Sequence, residues 1–168
     1  MQYSIWILLE GKAQETLKKI VNQLSIKYGG PAFEPHLTLL SPIPGKKEAV
    51  IEKANEIAKI VRPFKLTTTN VDYGETYFRS VFIRVNTSKP LIDAAMFART
   101  LFGINSIFVS HISLFYGNVD IKTREEIAKS VKLPNLTFKA EKIVVTPAGG
   151  SVSDPKDWHH LAEIPLLF

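Results

Sequence analysis

His36-Leu37-Thr38-Leu39 and His111-Ile112-Ser113-Leu114 are two versions of one tetrapeptide: a histidine, an apolar residue, a hydroxyl residue and an apolar residue. The period is that of a β-strand, in which alternate side chains share a face. Histidine and hydroxyl therefore point to one side of each strand, and the apolar pair packs behind them. The second histidine follows the first by 75 residues. In a chain that is 45% hydrophobic, one histidine carries this pattern by chance about one time in forty; two of the four do so roughly once in a few hundred chains. One copy alone reads as a half-buried strand with a satisfied histidine. A matched pair reads as a site. Two imidazoles and two hydroxyls facing one another suit acid–base chemistry on a phosphate.

Working outward, the surroundings of the two motifs also repeat. Gly11 to Tyr28 carries Leu17, Ile20, Val21 and Leu24 at helical spacing, and Gly29-Gly30-Pro31 stops that helix before the His36 strand. Lys46 to Val61 is helical again, with Val50, Ile51, Ala54, Ile57, Ala58 and Val61 on one stripe, and strands follow near 64–73 and 80–85. In the second half, Pro90 opens a helix that Gly103 closes, and the His111 strand comes next. A short charged helix over 122–131 and strands near 136–146 and 160–166 complete the pattern. The order is one strand, then α-β-α-β-β twice. It predicts an α+β molecule of two pseudo-symmetric lobes, each an antiparallel sheet with outer helices, around a central cleft. Residues 1–168 form a single domain in this reading, with lobes overlapping roughly at 1–86 and 87–168.

Composition narrows the chemistry. The absence of cysteine removes disulfides, thiolate metal sites and cysteine nucleophiles. No apolar run approaches a membrane span, and the start reads as a strand and not a signal peptide, so a cytoplasmic protein is the expectation. The net charge of +5 suits a phosphate-bearing ligand. The lysines are scattered, which favours a small anion or an RNA end over a long nucleic-acid footprint. Nothing in the sequence signals assembly, and a monomer is expected.

The paired motifs, in this order and spacing, resemble those of the 2H phosphoesterase superfamily, most closely the eukaryotic-type cyclic phosphodiesterases. Tyr3-Ser4-Ile5-Trp6 resembles that family's first strand, and Gly30-Pro31-Ala32-Phe33-Glu34-Pro35-His36 its approach to the first motif. Phe78-Arg79-Ser80-Val81-Phe82, the run from His111 to Tyr116, and Trp158 also fit. Ser110 departs, standing where proline is common, and cysteines found in some members are missing.

The resemblance implies metal-independent hydrolysis of a cyclic phosphodiester, with no cofactor. Candidate substrates are a nucleoside 2′,3′-cyclic phosphate or ADP-ribose 1″,2″-cyclic phosphate; RNA ends and 2′,5′-oligoadenylate are the alternative, and a non-catalytic nucleotide-binding module is the third. His36 and His111 are the expected acid and base, and Thr38 and Ser113 the donors to the non-bridging oxygens. By the resemblance His111 activates water and His36 protonates the leaving 3′-type oxygen, leaving a 2′-phosphate. Tyr116 is either a ligand contact or a tyrosine packed on its own turn. Trp6 either stacks on a base or is a core indole. Trp158 reads as structural, and Arg79 as either a phosphate screen or a solvated strand edge. His159 and His160 read as surface residues on a strand, and Gly149-Gly150-Ser151 as a turn.

Overall fold

The four amphipathic stripes become four helices, and each buries its apolar side against a sheet. The computed structural model describes residues 1–149 and 154–167. In order the elements are β1 (Gln2–Leu8), α1 (Gly11–Tyr28), β2 (His36–Pro44), α2 (Lys47–Ile60), β3 (Phe64–Tyr73) and β4 (Val81–Val85). There follow α3 (Lys89–Phe102), β5 (His111–Phe115), α4 (Ile121–Ser130), β6 (Thr137–Ala140), β7 (Lys142–Ala148) and β8 (Ala162–Pro165). Gly29 and Gly103 end α1 and α3 in the left-handed conformation, as the sequence predicts for a glycine at that position. No helix of the described residues is long and apolar enough to cross a membrane.

The strands form one antiparallel sheet in the order β6-β3-β4-β5-β2-β1-β7-β8. It divides into two four-stranded halves that meet at β2 and β5, the two motif strands. Their join is a single pair, Leu37 opposite Ile112. Leu37, Leu39, Ile112 and Leu114 are completely buried behind the motifs, in the core beneath the helices. The α+β class, the two antiparallel lobes and the outer helices thus hold.

The membership of the lobes differs from a division at residue 86. β3 follows α2 yet pairs with β4 and β6, and β7 pairs with β1. Each half of the chain gives two strands to each lobe: β3 and β4 join β5 and β6, while β7 and β8 join β1 and β2. A sequence repeat shows which elements exist, but a strand with one apolar face can pair with any partner of matching pattern. The stretch 136–146 also splits in two at Glu141. Phe138 and Ala140 are buried, Glu141 is exposed, and burial resumes at Ile143, so the alternation breaks there. The break lets the chain leave β3 as β6 and join β1 as β7.

Gly30, in the approach to the first motif, lies against the end of the second. A Cβ there would sit 2.2 Å from the Tyr116 carbonyl oxygen and 2.7 Å from Cε2 of Phe115. Only glycine permits that contact, which ties the loop before β2 to the end of β5.

Candidate active site

The register at the seam places the chemistry. With Leu37 opposite Ile112 in an antiparallel pair, His36 stands across from Ser113 and Thr38 across from His111. Each histidine faces the hydroxyl of the other motif, related by a pseudo-twofold axis through the seam. All four side chains line one cleft of about 390 Å³, together with Ser4, Trp6, Thr76, Phe78, Arg79, Tyr116 and Trp158. That volume suits a small ligand.

Both imidazoles are held the same way. His36 Nδ1 lies 2.7 Å from the Glu34 carbonyl oxygen, and His111 Nδ1 lies 2.7 Å from that of Val109. A carbonyl can only accept, so Nδ1 carries the proton in both rings. Nε2 is thereby left as the reactive nitrogen of each ring, able to take or give a proton.

Their surroundings differ. His36 is buried, stacked on the Trp6 indole at 3.7 Å between ring centroids and 13° between planes. Burial pushes its pKa down to about 4 against the pull of the Glu34 carbonyl, and the nearby His111 and His160 lower it further. His111 is half-buried and meets Phe82 edge-on at 5.3 Å. Its pKa is lowered too, first by burial, then by the cations of Arg79 and Arg84. Arg84 is neutralised by a two-pronged pair with Asp72. Arg79 lines the cleft, and among the described residues no carboxylate or lysine does.

The hydroxyls are unequal as well. Ser113 Oγ donates to the Phe78 carbonyl at 2.9 Å, so its proton is already committed. The Tyr116 hydroxyl neighbours Ser113, and burial holds the phenol well above its usual range, hence neutral. The Tyr116 ring stacks on Phe33 at 3.8 Å. Tyr116 is therefore both packed and on the cleft wall. Trp6 gives one face to His36, meets Trp158 edge-on at 5.5 Å, and donates Nε1–H to Ser4 Oγ at 2.9 Å. These contacts pack Trp6 against His36 while leaving it on the cleft wall. The cleft wall carrying Thr76, Phe78 and Arg79 is braced by buried Arg124, whose guanidinium donates to the carbonyls of Gly74, Thr76, Gly117 and Val119.

One residue read as surface proves otherwise. His160 is half-buried, lies before β8 and not in a strand, and bonds two carboxylates, Glu34 and Glu163, at 2.7 Å each. No spacing in the sequence marks this contact, since 126 residues separate His160 from Glu34. His159 is exposed, as expected. The Gly149-Gly150-Ser151 turn falls mostly outside the described residues.

Comparison with known proteins bears on the family and the fold. Residues 1–152 match the family model for cyclic phosphodiesterase-like proteins. The cyclic phosphodiesterase of Arabidopsis thaliana is 20% identical over 167 residues, spanning 95% of this chain and 92% of the relative. TT0787 of Thermus thermophilus has a similar fold, with a TM-score of 0.71 at 16% identity over 99% of this chain and 98% of its own. E. coli LigT complexed with 3′-AMP gives a TM-score of 0.66 at 16% identity, over 98% and 97%.

Proposed function

The chain belongs to the cyclic phosphodiesterase-like family, with the fold of the 2H phosphoesterases, and from that premise we propose that its cleft opens a cyclic nucleotide phosphodiester by paired-histidine catalysis. The observation that carries this reading is the quartet of His36, Thr38, His111 and Ser113 across one seam, with both Nδ1 atoms tied to carbonyls.

The substrate is a nucleoside 2′,3′-cyclic phosphate or ADP-ribose 1″,2″-cyclic phosphate, bound with phosphorus between the two Nε2 atoms. His111 takes a proton from water as its oxygen attacks phosphorus. The bond from phosphorus to the 3′-type oxygen breaks on the far side, and His36 gives that oxygen its proton. The product is a 2′-phosphate. Thr38 donates to a non-bridging oxygen as charge builds in the transition state, and Arg79 offsets the negative charge. Ser113 and Tyr116 act as a linked pair on the opposite wall. The phosphate itself brings His36 into play: an anion beside a buried imidazole favours its protonated form.

One observation favours the opposite polarity. His36 is the more deeply buried ring and is held at about 4, while His111 is lowered from a more open position, so burial disfavours a proton on His36 the more strongly. His36 would then be base and His111 acid, and the 3′-phosphate would follow if the same ring oxygen faced each histidine.

The test is turnover by EDTA-treated protein on 2′,3′-cyclic AMP and ADP-ribose 1″,2″-cyclic phosphate, with 2′- and 3′-monophosphates resolved. A single regioisomer of AMP, lost in His36→Ala and His111→Ala, is the expected outcome. Cleavage confined to RNA ends or 2′,5′-linked oligoadenylate would transfer the site to longer substrates, and binding without turnover on any of them would make it a holding module.

A further inference from the structure

We propose that His160 is a positioning residue for His36, acting through Glu34. The geometry forms a chain. His36 Nδ1–H donates to the backbone carbonyl of Glu34 at 2.7 Å. The Glu34 carboxylate accepts from His160 Nε2 at 2.7 Å, and His160 Nδ1 bonds Glu163 at 2.7 Å. Glu163 is held in turn by Lys142 at 3.0 Å, and Lys142 lies 3.6 Å from Glu10. The loop that fixes His36 is thus fastened to β7 and β8, on the far edge of its own lobe.

Two carboxylates on opposite nitrogens of one ring require two N–H donors, which only the imidazolium has. The two ring nitrogens point apart, so the three side chains do not converge on one point as a metal's ligands do. The charged groups facing His160 are Glu34 from the loop before β2, Glu163 from β8, and, beyond Glu163, Lys142 of β7 and Glu10 after β1. Partial burial lowers the His160 pKa, but the bonds to Glu163 and Glu34 outweigh it, and the net direction is upward. A histidine raised in this way keeps its proton to higher pH than a free imidazole and loses it as pH rises through the raised value. With one N–H gone, one arm of the clamp has no donor.

The second motif has no such device. His111 bonds the carbonyl of Val109, whose side chain offers nothing to clamp. Positioning by His160 is therefore specific to His36, and its charge also disfavours a proton there. His36 receives both a fixed carbonyl and a nearby cation from the same neighbour.

This inference rests on His36 being an acid–base group, and the experiment keeps the two apart. The histidines of the full ¹⁵N-labelled chain are titrated by NMR, in the wild type, His160→Gln and Glu34→Gln, and kcat/KM on 2′,3′-cyclic AMP is followed against pH. In the wild type, the His36 signals should move in step with the titration of His160. His160→Gln should raise the His36 pKa and leave that of His111 in place, because a nearby positive charge is removed. Each substitution should lower kcat/KM on the order of tenfold, within the ~10²-fold that an ångström of misplacement costs. The double substitution should cost no more than either alone, since both break one chain. His36 signals indifferent to His160 in the wild type would overturn the inference even if no variant folds. So would additive losses with an unchanged His36 titration. Coupled titrations in a protein that opens neither cyclic phosphate would refute the function and leave the clamp standing.

Discussion

His36 and His111 sit in the same tetrapeptide, on adjacent strands, with the same Nδ1 bond to the carbonyl two residues upstream. Everything around that shared frame differs. His36 lies under an indole at the cleft wall, largely buried, with a histidine bonded to two carboxylates behind its anchor. His111 is more open, touches an aromatic ring only by its edge, and has two arginines nearby. The frame fixes where each Nε2 points; the surroundings fix how readily it holds a proton. A duplicated motif can supply symmetric geometry, but acid–base catalysis needs one group to give a proton while the other takes one. Under the proposed mechanism, the asymmetric packing separates the proton affinities of the two rings.

The largest effect should come from removing either imidazole. His36→Ala and His111→Ala should each lower kcat at least about a hundredfold, the usual scale for a general acid or base. Steady-state turnover on 2′,3′-cyclic AMP checks this, and near-normal rates in either variant would break the pairing. The hydroxyls come next and should split. Thr38→Ala should cost about a hundredfold, the scale of one lost donor to a developing charge. Ser113→Ala should cost only about tenfold, because its proton is already given to Phe78. Equal losses in single-turnover rates would show that the two walls act alike.

The pH profile sharpens the comparison further. Both histidines have lowered pKa values, His36 to about 4. The free site needs one proton across the pair. Activity measured as kcat/KM should therefore rise as pH falls through 6.5, peak on the acid side, and fall again when a second proton arrives near His36's own value. An optimum above pH ~7 would contradict the burial of both rings. The smallest effects lie in the aromatic neighbours. Trp6→Leu should let water reach His36 and raise its pKa toward the ordinary value. Phe82→Leu should move His111 much less, since that contact is edge-on at 5.3 Å. NMR titration of both rings reads the two shifts side by side.

Most of the site was legible because strand periodicity and duplication act locally. His36, Thr38, His111 and Ser113 share a face for reasons contained in four residues each. Helices over 11–28 and 47–60 follow from apolar stripes and from the glycine and proline that stop them. Strand pairing was not legible. The exchange of the pairs β3–β4 and β7–β8 between lobes depends on which partner is reached after α2 and β6, and a pattern of alternating residues fits either. Trp6 could be placed on the first strand but not over His36, since stacking depends on the register of β1 with β2, where Trp6 pairs with Thr38. His160 was misread for the same reason: its partner comes from the other end of the chain, and nothing in the neighbouring sequence marks it.

The division between acid and base is tested most directly by changing the leaving atom. In a 2′,3′-cyclic nucleotide whose bridging 3′-oxygen is replaced by sulfur, the leaving group is a thiolate, with a conjugate acid of pKa about 8.5, which departs without protonation. The base remains necessary and the acid does not. The measurement is the rate loss for His36→Ala and His111→Ala on the oxygen and sulfur substrates. The expected result is that the His36→Ala defect largely disappears on sulfur while the His111→Ala defect persists. Relief of His111→Ala instead, or of neither variant, would contradict the assignment of His36 as the acid.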